Sequence, residues 1–152
     1  MESRKQDSGA SKFVYGLLQQ QAISFFCCDG SYFGNPGTAG LGVVIRDEFY
    51  QVIGTLCGGL GIATNYIAEN YAVLCAAELA MEWGLKKMII RSDSKTVLQD
   101  FGAVKIPWFL KSRWRKVKSR ISSIYLGHCF REVNFSANTV AKRGVKLSPG
   151  ER

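Results

Sequence analysis

Three acidic residues of this 152-residue chain stand where separate segments could bring carboxylates to one place. Asp29 closes an apolar run, Glu69 falls in the first turn of a helical pattern, and Asp93 closes a second, shorter apolar run. Clustered carboxylates repel and raise each other's pKa, so a cluster calls for a cation. A hard divalent ion such as Mg²⁺ takes a few carboxylates together with water and phosphate oxygens. Two such ions side by side suit in-line attack on a phosphodiester, one activating water and the other steadying the leaving oxygen. The same positions also suit plainer roles, Asp29 and Asp93 as turn or cap residues and Glu69 as a partner of the helix dipole. Zinc is not expected, because His128 is the only histidine and the five cysteines include no C-x-x-C pair.

For the three acids to meet, the elements carrying them must converge. Ala22–Cys28 is predicted as a buried strand that stops at Asp29-Gly30-Ser31. Gly34-Asn35-Pro36-Gly37 is a turn signal. Leu41–Asp47 alternates as a second strand, and Tyr50–Cys57 gives a third after a tight turn, making an antiparallel meander. From Asn65 to Trp83 the spacing of Ala68, Ala72, Cys75, Leu79 and Trp83 is helical, with Thr64 or Asn65 as cap and Gly84 as stop. Lys87–Arg91 returns as a strand, and Ser92-Asp93-Ser94 caps a short helix to about Phe101. Pro107 opens a longer helix, Trp108–Ile124, with Trp108 and Trp114 expected as core anchors rather than base-stacking platforms. Tyr125–Arg131 is the fifth strand, and a last helix runs from about Ser136 to Val145. The order βββαβααβα implies an α/β (α+β) fold, a five-stranded mixed sheet with helices on its faces. In such a sheet the first and fourth strands can lie side by side, and the first turn of the crossover helix can bring Glu69 near. One domain is expected over residues 22–146, between a flexible N-terminal arm, 1–21, and a loose tail, 147–152.

Charge divides the chain. Residues 1–85 carry 4 basic and 8 acidic side chains, and residues 86–152 carry 16 and 4. Such asymmetry points to a polyanion, nucleic acid first, although a cationic protein without such a partner has the same composition. The segment after Pro107 concentrates the charge: Lys111, Arg115 and Lys118 share one helical face, and Arg113, Lys116 and Arg120 a neighbouring one. This face suits phosphate contact or plain solvation. No apolar run approaches the ~20 residues of a membrane span. No secretory signal is read at the N-terminus, and free buried thiols suit a reducing compartment, so nucleus or cytoplasm is expected.

The residues around these acids resemble the motifs of type 1 ribonuclease H. Asp29-Gly30-Ser31-Tyr32-Phe33-Gly34-Asn35-Pro36-Gly37 followed by Gly40-x-Gly42 resembles its opening motif. Thr64-Asn65-Tyr66-Ile67-Ala68-Glu69 and Ser92-Asp93-Ser94 are similar to its second and third. His128-x-x-Arg131-Glu132-x-Asn134-x-x-Ala137-Asn138-x-x-Ala141-Lys142 is similar to its C-terminal segment, in wording closest to plant reverse-transcriptase-like domains of non-LTR retroelements. The resemblance covers about residues 23–146. It implies a ribonuclease H-like fold and cleavage of the RNA strand of RNA–DNA hybrids with Mg²⁺ or Mn²⁺ at a two-ion site. Asp29, Glu69 and Asp93 would be three metal-binding carboxylates. The fourth position, an aspartate in the family, is Asn138 here, which brings an amide oxygen but no charge. The resemblance therefore implies activity that is weakened, shifted toward Mn²⁺ or absent. In the last case the chain is a nucleic-acid-binding or protein-interaction module of retroelement origin. His128 matches the family histidine thought to help water or product move, and equally suits a strand end. Asn35, Thr64 and Asn65 would touch the hybrid's sugars and phosphates, with turn and cap roles as alternatives. A monomer is expected.

Overall fold

The computed structural model of the chain describes residues 24–34, 37–131 and 133–152. The expected arm, 1–21, and the turn residues Asn35 and Pro36 lie outside the described residues. β1 (Phe25–Gly34), β2 (Gly37–Arg46) and β3 (Val52–Ala63) form the meander. α1 (Asn65–Glu82) crosses to β4 (Lys87–Ser92), and α2 (Lys95–Gly102) follows. A 3₁₀ turn (Trp108–Leu110) leads into α3 (Lys111–Arg120), then β5 (Ser123–His128) and α4 (Phe135–Gly144). The sheet order is β3-β2-β1-β4-β5, with β1 parallel to β4, β4 parallel to β5 and the meander antiparallel.

The alternation of β1 divides the interior. Phe26 and Cys28 face the larger cluster with Val43, Ile45 and residues of α1, while Cys27 joins Val44, Ala137 and Val140 on the α4 side. α1 is buried around most of its circumference, and Leu74, Cys75 and Ala76 are each at most 1% exposed. It lies between the sheet and α3, to which the Arg113–Glu78 pair ties it. Thr64 caps α1 by accepting from Ile67 N at 3.2 Å, and Gly84, at φ 70°, follows its C-cap Trp83.

Five expectations need correction. β1 does not stop at Asp29: ladder pairing with β2 carries it on to Gly34, so Asp29 sits mid-strand opposite Gly42. What ends there is the parallel pairing to β4, whose last partners are Cys28 and Ser92. The helix after Pro107 ends at Arg120, because Ser123 pairs with Lys87 and Ile121 is already extended. β5 stops at His128 because β4 stops at Ser92. The C-terminal residues are not loose: Gly59 donates to Glu151 O at 2.8 Å and accepts from Gly150 N at 2.8 Å. Finally, Trp114 is a core anchor but Trp108 is not. Trp108 is 82% exposed on the 3₁₀ turn, whereas Trp114 meets Phe101 edge-on at 4.8 Å.

Candidate active site

Asp29 and Asp93 each follow the last residue of the parallel pairing between β1 and β4, so the two lie side by side where that pairing ends. By strand alternation Asp29 shares the face of Cys27, toward α4, and Gly30 shares the face of Cys28, toward α1. A Cβ on Gly30 would lie 2.7 Å from Ala68 C and Glu69 N, so only glycine lets the first turn of α1 settle against β1 here. That approach sets Glu69 beside Asp29. One ligand atom from each of Asp29, Glu69 and Asp93 lies within 4.8 Å of the others.

The cluster is electrostatically strained. Asp29 is 3% exposed, and burial pushes its carboxyl up against hydrogen bonds from Glu69 and Asn138 that pull it down. Burial pushes Glu69 far above the usual carboxylate range, with the Asp29 and Asp93 charges adding to the effect. Among the described residues, Glu69 Oε2 is buried without a hydrogen-bond partner. An orphaned carboxylate oxygen among three converging acids fits a divalent cation, since oxygen ligands and negative charge are what Mg²⁺ or Mn²⁺ requires. Cations also border the cleft: Arg131 Nε is 3.6 Å from Asp93 Oδ2, and Lys95 and Lys142 line the wall. The cleft holds about 740 Å³.

Asn138, on α4, donates from Nδ2 to Asp29 Oδ2 at 2.7 Å. An ionised carboxylate only accepts, so it is the amide nitrogen that faces it. α4 is held in place by Asn134, which donates to Cys28 O at 2.8 Å, and by Gly42, whose Cβ would meet Ala141 N at 2.3 Å.

The other expected residues divide. Asn65 lines the cleft, donates to Tyr32 Oη at 3.3 Å and accepts from Tyr66 N at 2.8 Å. Thr64 is the α1 cap. His128 ends β5 beside Ser92, exposed, with its ring against Phe130, and does not line the cleft. Lys111, Arg115 and Lys118 do not line it either, and Arg113 is committed to Glu78. Asn35 lies outside the described residues. Lys95 was not singled out from sequence, and Arg131, Asn134 and Lys142, quoted in the C-terminal motif, were given no role there. The positions of Arg131, Lys142 and Asn134 follow from where α4 crosses the sheet, which no local pattern encodes.

Residues 27–144 match the reverse transcriptase-like family. The chain is 31% identical over 93 residues to ribonuclease H of Buchnera aphidicola, an alignment covering 61% of this chain and 55% of that protein. It therefore spans about half the length of that relative. It is 27% identical to ribonuclease H of Shewanella loihica, across 91% of this chain and 94% of that protein. Among solved structures, LC11-RNase H1 in complex with an RNA/DNA hybrid matches with a TM-score of 0.71 and 29% identity, covering 80% of this chain and 96% of that one. The sheet order and its flanking helices are those of the ribonuclease H fold.

Proposed function

We propose, for a chain that belongs to the reverse transcriptase-like family, a metal-dependent nuclease acting on the RNA strand of RNA–DNA hybrids, slowed by Asn138. The observation that carries this reading is the convergence of Asp29, Glu69 and Asp93 around the unpartnered Glu69 Oε2. These three would hold Mg²⁺ or Mn²⁺. When bound, such ions polarise a phosphoryl oxygen and lower the pKa of a bound water. Asp29 is oriented for that role by the Asn138 amide, and Arg131 steadies Asp93. Lys95, Lys142 and Arg131 supply positive charge for the phosphates along the cleft. Asn65, at the N-terminus of α1 and within the cleft, is placed to meet a sugar 2′-hydroxyl, the group that separates RNA from DNA. Thr64 acts beside it, Asn35 is assigned to the hybrid's sugars and phosphates from its sequence motif alone, and Lys111, Arg115 and Lys118 meet phosphates further along the duplex. His128 assists departure of product from outside the cleft lining, at the end of β5. The chain works as a monomer in the nucleus or cytoplasm and descends from a plant non-LTR retroelement, a reading supported by the wording of residues 128–142.

The Asn138–Asp29 hydrogen bond favours a second reading, a hybrid-binding module without catalysis, because the amide occupies a carboxylate oxygen and adds no charge for a second ion. One experiment separates the two. The protein is incubated with labelled hybrid in Mg²⁺ and in Mn²⁺, beside Asp29→Asn and Asn138→Asp variants. Cleavage lost in Asp29→Asn and raised in Asn138→Asp supports the nuclease. Salt-sensitive binding without cleavage in either metal by the unaltered chain supports the module.

A further inference from the structure

β5 is the last strand of the sheet order, so among the described residues its outer edge pairs with no other strand. Such an edge presents backbone N–H and C=O groups that a second extended chain can pair with. Beside it lies a groove of about 300 Å³ lined by Phe101, Trp114, Ile121, Ile124 and Leu126, with Lys118 among them. The groove shares no lining residue with the carboxylate cleft. It lies at the far end of α2, about 10 Å along the helix from Lys95 at 1.5 Å per residue.

Trp114 lines this groove. It is 3% exposed, and its Nε1 is buried with no acceptor among the described residues. An indole nitrogen only donates, so this N–H still calls for a carbonyl or carboxylate acceptor. The rim is cationic. Lys118 lines the groove, Lys86 Nζ reaches Arg120 O at 3.5 Å, and Lys87 pairs with Ser123 at the start of β5. Among the described residues, none that lines the groove is acidic.

We propose that the β5 edge and this groove dock an extended, acidic peptide segment of a partner protein. The segment adds a sixth strand to the sheet, seats an apolar side chain against Phe101, Trp114 and Leu126, and sets its carboxylates toward Lys118 and Arg120. A second copy of this chain fits less well, because two such edges would bring their lysines together. Nucleic acid also fits less well: the groove walls are apolar, and the row of pairing groups has the spacing of a peptide backbone.

The test uses the full chain and a fluorescein-labelled octapeptide of alternating glutamate and valine. Anisotropy measures affinity, and the Trp114 indole N–H resonance, assigned with Trp114→Phe, reports the site. The expected result is saturable binding that shifts this resonance and leaves the Trp108 indole in place. Lys118→Glu, an exposed change that leaves the core intact, is expected to weaken affinity about tenfold through charge reversal. Three results would overturn the proposal: a Trp114 indole unmoved by the peptide, equal binding of a lysine–valine octapeptide, or a larger indole shift with an octathymidylate. Self-association that protects the same indole would overturn it as well, by making the occupant a second copy.

Discussion

At position 138 an amide donates to Asp29 where a carboxylate would repel it. Without metal, Asn138→Asp replaces a hydrogen bond with like-charge repulsion. It is expected to lower stability by about 1–3 kcal/mol in urea unfolding with chelator present. Saturating Mg²⁺ should close most of that gap, and cleavage of hybrid should rise at least about tenfold, the scale of one well-placed charge of ~1.4 kcal/mol. Glu69 gives the opposite sign. Its pKa is raised on folding, so its cost is absent below the ordinary value of 4.5 and grows as pH climbs toward the raised one. Metal-free Glu69→Gln is therefore expected to melt above the unaltered chain at pH 8 and alongside it near pH 4, while losing the stabilisation by Mg²⁺. A unaltered chain that melts equally high at pH 8 would refute this. Asp29, Glu69 and Asp93 were legible because each sits where an element's local pattern changes. Arg131 and Lys142 were not, since their proximity depends on tertiary crossing rather than spacing.

Between elements, approach distance decides whether the acids meet. Gly30→Ala would drive a Cβ into the backbone of Ala68 and Glu69, so α1 must move off β1. The expected cost is about 1–3 kcal/mol, typical of overpacking, with metal affinity falling alongside as read by calorimetry. A variant that binds metal normally would show that Glu69 does not depend on this contact. The two tryptophans around the start of α3 offer a sharper comparison. Trp114→Ala should cost about 3–5 kcal/mol, and Trp108→Ala should stay within about 0.5 kcal/mol, measured by thermal unfolding. Sequence pattern treated both as anchors, because apolar identity does not say which way a side chain points from a 3₁₀ turn. The element order and α1 with its Thr64 cap and Gly84 stop were readable from periodicity. The extension of β1 past Asp29 was not, because glycine and polar residues at 29–31 imitate a turn until β2 pairs with them.

Across the whole molecule, the basic excess of residues 86–152 is spread over several surfaces. Lys95, Arg131 and Lys142 border the cleft, Lys118 sits by the β5 groove, and Arg113 is spent on Glu78. Net charge alone therefore overstates what a hybrid can use. With about three cations at the cleft and Lys111, Arg115 and Lys118 of α3 on phosphates further along, the logarithm of hybrid affinity should fall with the logarithm of salt at a slope of about −5. A slope near −3 in a fluorescence titration would mean that the α3 cations do not join in. The three acids also lie far apart along the chain, and they meet only once β4 has docked beside β1 through the α1 crossover. Closing that parallel pair is a non-local event and an intrinsically slow one. Ligands assembled so late have little hold on a divalent ion at the folding barrier. Magnesium should then leave the refolding rate nearly unchanged and act almost wholly by slowing unfolding, so that the acidic cluster serves as a latch on the native state rather than as a nucleus for reaching it.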